Sequence, residues 1–178
     1  MVEVQVAQEI DAPPKAVWRE LADIARHVEW MSEAEAIHFD GDQRSGVGTR
    51  FDCVTRVGPL RTRDRMEVTA WREDQLMAVR HLGLVAGEGR FTLRSTGSAD
   101  GGRTAVEWTE QLGFPWYLGG PVTGRCARPV LRRIWQANLR RLAQLVDRVD
   151  SAEAVGERSG VDHSQALGRP GESDVERP

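Results

Sequence analysis

Residues 121 to 149 read PVTGRCARPVLRRIWQANLRRLAQLVDRV, and their spacing predicts a long amphipathic helix. Leu131, Trp135, Asn138, Leu142, Leu145 and Val149 recur at steps of four and three, so at 3.6 residues per turn they share one narrow face. Ile134, Leu139 and Val146 widen that stripe. Arg132, Arg133, Gln136, Arg140, Gln144, Asp147 and Arg148 occupy the far side, where a helix on a globular core meets water. Pro129 lacks an amide hydrogen and clashes with the carbonyl four residues back. The helix is therefore expected to start near Pro121 and bend between Arg125 and Pro129, or to begin only at Arg128. Asn138 breaks the apolar arc at its centre. Its two donors and one acceptor must find partners there. Either it bonds a neighbouring group and fixes packing, or it looks into a pocket.

A helix with one greasy face needs an apolar surface to cover, and the chain before it supplies one. From Ala34 to Leu112 the hydrophobic period is two, which predicts strands at 34–40, 49–57, 60–72, 75–82, 88–95 and 104–113. Turn clusters separate them: Gly41 to Gly48, Gly58-Pro59, Glu73-Asp74, Gly83 to Gly87 and Gly97 to Gly102. Six strands joined by tight connections make an antiparallel meander. On the longest, Arg61, Arg63, Arg65 and Glu67 alternate with Leu60, Thr62, Asp64, Met66 and Val68, so one face is charged and the other must be covered. Further upstream, Val2 to Ile10 alternates like a half-buried strand. Asp11-Ala12-Pro13-Pro14 stops it, and Pro13 or Pro14 suits the first position of a helix. That helix carries Val17, Leu21, Ile24 and Val28 at helical spacing and is expected to be short and broken near Ile24 to His27.

Length and composition bound the rest. At 178 residues, 40% hydrophobic and 29% charged, the chain suits one soluble domain plus a tail. Lys15 is the only lysine. Up to Ser151 there are 21 acidic and 21 basic residues, so the formal charge of -3 comes from the last segment, with 6 acids and 3 bases. A neutral folded part argues against nucleic acid or an anionic membrane as the main partner. Residues 150–178 lack aromatics and read as a disordered acidic tail. Cys53 and Cys126 are isolated thiols, no signal core stands at the N-terminus, and no apolar run could span a bilayer. A cytoplasmic, reduced protein without stable membrane insertion is expected.

Strand, broken helix, meander and long terminal helix follow the order of the helix-grip fold. The residues Ile10-Asp11-Ala12-Pro13, Val17-Trp18, Leu21-Ala22-Asp23, Trp30, Gly87 to Leu93 (GEGRFTL), Thr104 to Pro115 (TAVEWTEQLGFP), Leu118-Gly119-Gly120-Pro121, Arg128-Pro129-Val130-Leu131 and Asn138-Leu139 carry a resemblance. The chain resembles the SRPBCC superfamily, also called START/birch-pollen-allergen-like, and within it the polyketide cyclase/dehydrase and lipid transport group. The resemblance covers roughly residues 2–149. It implies an α+β helix-grip domain at 2–149, with a curved antiparallel sheet of about seven strands wrapped on the long helix around a mostly apolar cavity. Fold alone does not settle function in such a group.

Chemistry must then come from polar residues on inward strand faces. Asp64 shares its face with Met66 and Val68, and Glu110 shares its face with Val106, Trp108 and Leu112. A carboxylate in an apolar pocket is raised in pKa and can act as acid or base. Ion pairing with an arginine such as Arg80 is the duller reading of both. Arg80 and His81 fall on opposite faces of one strand, and spacing leaves open which points inward. Catalytic candidates are thus Glu110, Asp64, Arg80 and Tyr117. Ligand-binding candidates are Asn138, Glu110, Trp30, Trp108, Trp135, Phe91 and Met66. Trp116 is expected in the core or pocket wall. The glycines of Gly46-Val47-Gly48 and Gly87-Glu88-Gly89 lack a nucleotide-loop setting and read as hairpin punctuation. No nucleophile elbow, zinc motif or paired CxxC is present, His27, His38, His81 and His163 are scattered, and no metal or cofactor is expected. Three readings follow: a carrier or binding protein for a hydrophobic or aromatic small molecule, a cyclase or aromatase using cavity acid/base groups, and, more weakly, an interaction module with a vestigial cavity. The oligomeric state stays open.

Overall fold

In a computed structural model, the backbone of residues 1–97, 102–113, 116 and 120–165 is described, without the side chains of 60, 120–124 and 153–165. β1 (Val2–Ile10) is followed by α1 (Pro14–Ala22), a 3-10 turn (Ile24–Arg26) and α2 (His27–Trp30). The meander is β2 (Ala34–Phe39), β3 (Arg50–Val57), β4 (Leu60–Arg72), β5 (Leu76–Leu82), β6 (Ala86–Ser95) and β7 (Thr104–Gly113). α3 spans Gly120–Gln165. The helix-grip expectation holds, with seven antiparallel strands in one sheet ordered β1-β7-β6-β5-β4-β3-β2.

Local chemistry explains the breaks. Pro13 caps α1 and Pro14 takes its first turn, where a missing N–H costs nothing. Gly58 carries the positive φ of the tight β3–β4 turn, and Asp74 adopts φ 61° between β4 and β5; an Asp side chain tolerates that left-handed well better than most. Register shifts at Ala34/Ala36 in β2 and Val68/Ala70 in β4 mark bulges, which bend a sheet and increase its twist.

The strand alternation predicts burial correctly. Val4, Val6 and Ile10 on β1, and Val106, Trp108 and Leu112 on β7, are buried. The outward face is charged, with Arg63 and Arg65 pairing across to Asp52, and Arg56 and Arg61 to Glu35. On α3, Trp135, Asn138, Leu139, Leu142, Leu145 and Val146 are buried while Arg132, Arg133, Arg140 and Gln144 are exposed.

One pair of alternatives is decided and two expectations need revision. Of the two starts expected for α3, the one near Pro121 is adopted and the one at Arg128 is not: the helix begins at Gly120 and holds Pro129 inside it. At that position the helix forgoes the bond to the Arg125 carbonyl, since proline has no N–H to donate. α3 also carries helical backbone through Gln165, beyond the boundary expected at 150. Lack of apolar residues removes a packing face but not helix propensity, and Ala152-Glu153-Ala154 is a good helix-forming run. The rest of the expected tail, 166–178, lies outside the described residues. Residues 1–147 form one compact unit, and the described residues from 148 onward belong to a second. Lastly, Trp116 is 86% exposed: it sits between β7 and α3, on neither packed face. No helix among the described residues is long and apolar enough to cross a membrane.

Candidate functional site

Between the concave sheet face and α3 lies a cavity of about 450 Å³. Its wall is mostly apolar: Ile37, Phe51, Met66, Met77, Val79 and Leu112 from the sheet, with Ala127, Leu131 and Trp135 from α3. One side is aromatic. Phe91 and Trp108 are register partners on β6 and β7, with ring centroids 4.8 Å apart, and Trp135 reaches Trp108 at 5.2 Å. Trp30 extends the row from behind, 6.1 Å from Phe91. It is buried but absent from the cavity wall, so it supports the aromatic side rather than lining it.

The polar end is built from three strands. Alternation on β5 sends His81 inward and Arg80 outward, which answers the question that spacing left open. His81 Nδ1 lies 2.5 Å from Asp64 Oδ2 on β4, and Nε2 lies 3.1 Å from Glu110 Oε2 on β7. Glu110 Oε1 accepts the Trp108 indole N–H at 2.8 Å. β5 and β7 are not neighbours, since β6 runs between them. The side chains meet because the inward positions of β6 opposite them are Gly87 and Gly89. A Cβ on Gly89 would collide with the Glu110 carboxylate, and one on Gly83 with Asp64. Gly87 and Gly89 are therefore not hairpin punctuation. They lie within β6: a Cβ on Gly89 would take the place of the Glu110 carboxylate that reaches His81, and one on Gly87 would strike the Gln111 carbonyl of β7.

Electrostatics sets the state of this group. Burial alone pushes the His81 imidazolium down, but the hydrogen bonds and charges of Asp64 and Glu110 outweigh it and raise its pKa to about 10. His81 is thus protonated at neutral pH and donates from both ring nitrogens. His27, also in the cavity wall, goes the other way: burial takes its pKa down to about 4 against the opposing bond to Leu21. Its Nε2–H donates to the Leu21 carbonyl at 2.8 Å, so Nδ1 is the unprotonated nitrogen of the neutral ring. Burial, with the Asp64 and Glu33 charges, pushes the Cys53 thiol up to about 12, which leaves it inert as a nucleophile.

The two histidines bracket the stability optimum. A histidine raised in the fold contributes stability that is complete below its unfolded pKa near 6.5 and lost as pH rises through about 10. A histidine lowered in the fold takes its proton first in the unfolded chain, so stability is lost as pH falls from about 6.5 toward 4. Thermal midpoints measured from pH 4 to 10 should peak near 6.5. His81→Gln should flatten the alkaline limb and His27→Gln should reduce the acid one. An alkaline limb unchanged in a folded His81→Gln protein would contradict the assignment.

Asn138 is not in the cavity wall. Its amide nitrogen donates to both oxygens of Glu33 at 2.9 and 2.7 Å, and its Oδ1 accepts from the Ser32 amide, the Ser32 hydroxyl and Arg141. It is a packing residue that ties α3 to the segment before β2. Glu33, by contrast, does line the cavity. Of the other candidates, Glu110, Asp64, Met66, Phe91, Trp108 and Trp135 line it together. Arg80 is exposed on the far face, and Tyr117 lies outside the described residues. Sequence spacing alone assigns no site role to His81 or Glu33. The signal for His81 was the Met77, Val79, His81 alternation, blurred because Ala78 and Leu82 make the opposite face apolar too. Among the described residues no group of three His, Cys, Asp or Glu side chains is placed to hold a metal ion.

Comparison with known proteins agrees with this architecture. TTHA0849 from Thermus thermophilus is similar in structure, with 20% identity, a TM-score of 0.64 and coverage of 83% of this chain and 98% of that one. The Zhui aromatase/cyclase from Streptomyces sp. R1128 has 18% identity, a TM-score of 0.66 and coverage of 82% and 93%. The Helicobacter pylori protein jhp0584 has 16% identity, a TM-score of 0.65 and coverage of 81% and 87%. At such identities the likeness establishes the fold alone. No curated protein matches the chain. The family profile described as polyketide cyclase / dehydrase and lipid transport, however, matches residues 1–147, the whole of the unit that holds the sheet, the cavity and the buried part of α3. The chain belongs to that family.

Proposed function

We propose that residues 2–149 bind a hydrophobic, ring-containing small molecule in the cavity and that the protein acts as its carrier or binding protein. The observation that carries this reading is a space of about 450 Å³ walled by Phe91, Trp108, Trp135 and methionines, with the Asp64, His81 and Glu110 group among a minority of polar residues. Ligand sites of this kind run from roughly 300 to 1,000 Å³ and pair apolar walls with a few convergent polar groups. Flat ligands suit an aromatic wall because offset and edge-on ring contacts add to area burial.

A second reading is a cyclase or aromatase, favoured by the Asp64–His81–Glu110 group in the cavity wall. A buried imidazolium held by two carboxylates can deliver and recover a proton during enolisation and aldol closure of a poly-carbonyl chain. The carrier reading stands first because both nitrogens of His81 are already engaged by carboxylates. Cys53 offers no thiolate.

Native mass spectrometry of protein purified from its own host tests the binding reading. A stoichiometric small molecule of ring-containing type is expected, and its consistent absence would overturn the proposal. Glu110→Gln then separates the two readings. It keeps shape and one hydrogen-bond acceptor but removes the carboxylate that could take up and return a proton. A carrier should retain affinity to within about threefold, since one charge-assisted bond becomes a neutral one. An enzyme using Glu110 should bind and lose turnover by about 10²-fold or more.

A further inference from the structure

We infer that the cavity selects a neutral ring compound bearing a hydroxyl donor and discriminates against the same ring bearing a carboxylate. The inference rests on the binding reading above and deepens it, naming the chemistry of the ligand's polar group.

Three acids line the space: Glu33 before β2, Asp64 on β4 and Glu110 on β7. The cations beside them are engaged. His81 gives both N–H groups to Asp64 and Glu110. Arg63 contributes to the wall, but its side chain is 65% exposed and pairs with Asp52 at 2.7 Å on the outer face of the sheet. His27 is uncharged and gives its N–H to Leu21. Among the described lining residues, no charged donor is left to receive an anionic headgroup. A ligand carboxylate would meet like charges on a mostly apolar wall with no unengaged cation beside it, and a low-dielectric surround magnifies that repulsion.

Acceptors, by contrast, are in surplus. Each carboxylate oxygen can accept two hydrogen bonds. Asp64 Oδ2 and Glu110 Oε2 each receive one from His81, and Glu110 Oε1 receives one from Trp108. Asp64 Oδ1 receives none from the described residues but is shut in beside Gly83, so the lone pairs left for a ligand are the second ones on Asp64 Oδ2 and on the two Glu110 oxygens. A hydroxyl supplies the matching donor without bringing charge, while its ring lies against Phe91, Trp108 and Trp135.

Isothermal titration calorimetry at pH 7 with 2-naphthol, 2-naphthoate and 2-methylnaphthalene, three ligands on one bicyclic frame, tests this on the unmodified full chain. 2-Naphthol should bind at least about tenfold more tightly than either of the others, the scale of one buried hydrogen bond. Naphthoate binding as tightly as naphthol would overturn the charge argument. Methylnaphthalene binding as tightly would overturn the donor argument. Failure of all three to bind would count against the binding reading itself, and the inference would fall with it.

Discussion

Asn138→Leu should destabilise the protein by about 3 kcal/mol. That is the scale of losing hydrogen bonds to a buried carboxylate and stranding the carboxylate. On the helix alone this substitution completes an apolar stripe and should be harmless. In the fold it removes both N–H groups from Glu33, whose side chain is mostly buried, and the acceptor from the Ser32 amide. The leucine cannot replace either. Urea unfolding of the variant reads the effect directly, and a midpoint equal to wild type would show that Glu33 is satisfied by other means. Ligand affinity is the second measurement. Because Asn138 does not line the cavity, affinity should change only indirectly, through the position of Glu33.

Leu142→Ala carries the other large effect, about 2 to 5 kcal/mol, the range for truncating a buried leucine in a core that relaxes only partly. Leu142 has no exposed surface, and Leu139 and Val146 beside it on α3 have none either. The void would therefore open where helix and sheet meet. Arg140→Ala, two positions away on the exposed side, should be close to neutral. The pair is a test of helical phase: similar unfolding midpoints for the two variants would mean that α3 presents a different face to the sheet.

What the sequence by itself determined is what depends on neighbours along the chain. Period two from Ala34 to Leu112 and the four-and-three spacing from Leu131 to Val149 each define a face within one element. Strand bounds, the broken first helix and the buried stripe of α3 were legible for that reason. So was the inward direction of Asp64 and Glu110, because their strands are apolar on one face only. Tertiary structure decided what depends on residues far apart in sequence. Asn138 was correctly placed on the buried face, but its partner Glu33 lies 105 positions earlier, and no local pattern distinguishes that contact from a view into the cavity. His81 became the centre of the polar end only when β4, β5 and β7 were brought together. That required Gly89 to be a strand residue rather than a turn residue, because a side chain there would displace the Glu110 carboxylate that crosses β6 to His81. Trp30 and Trp116 show the same limit, since hydrophobicity favours burial of a large ring but cannot say whether it ends behind a wall, in one or outside the core. Faces are set by periodicity, while sites are set by which faces the chain topology brings into register.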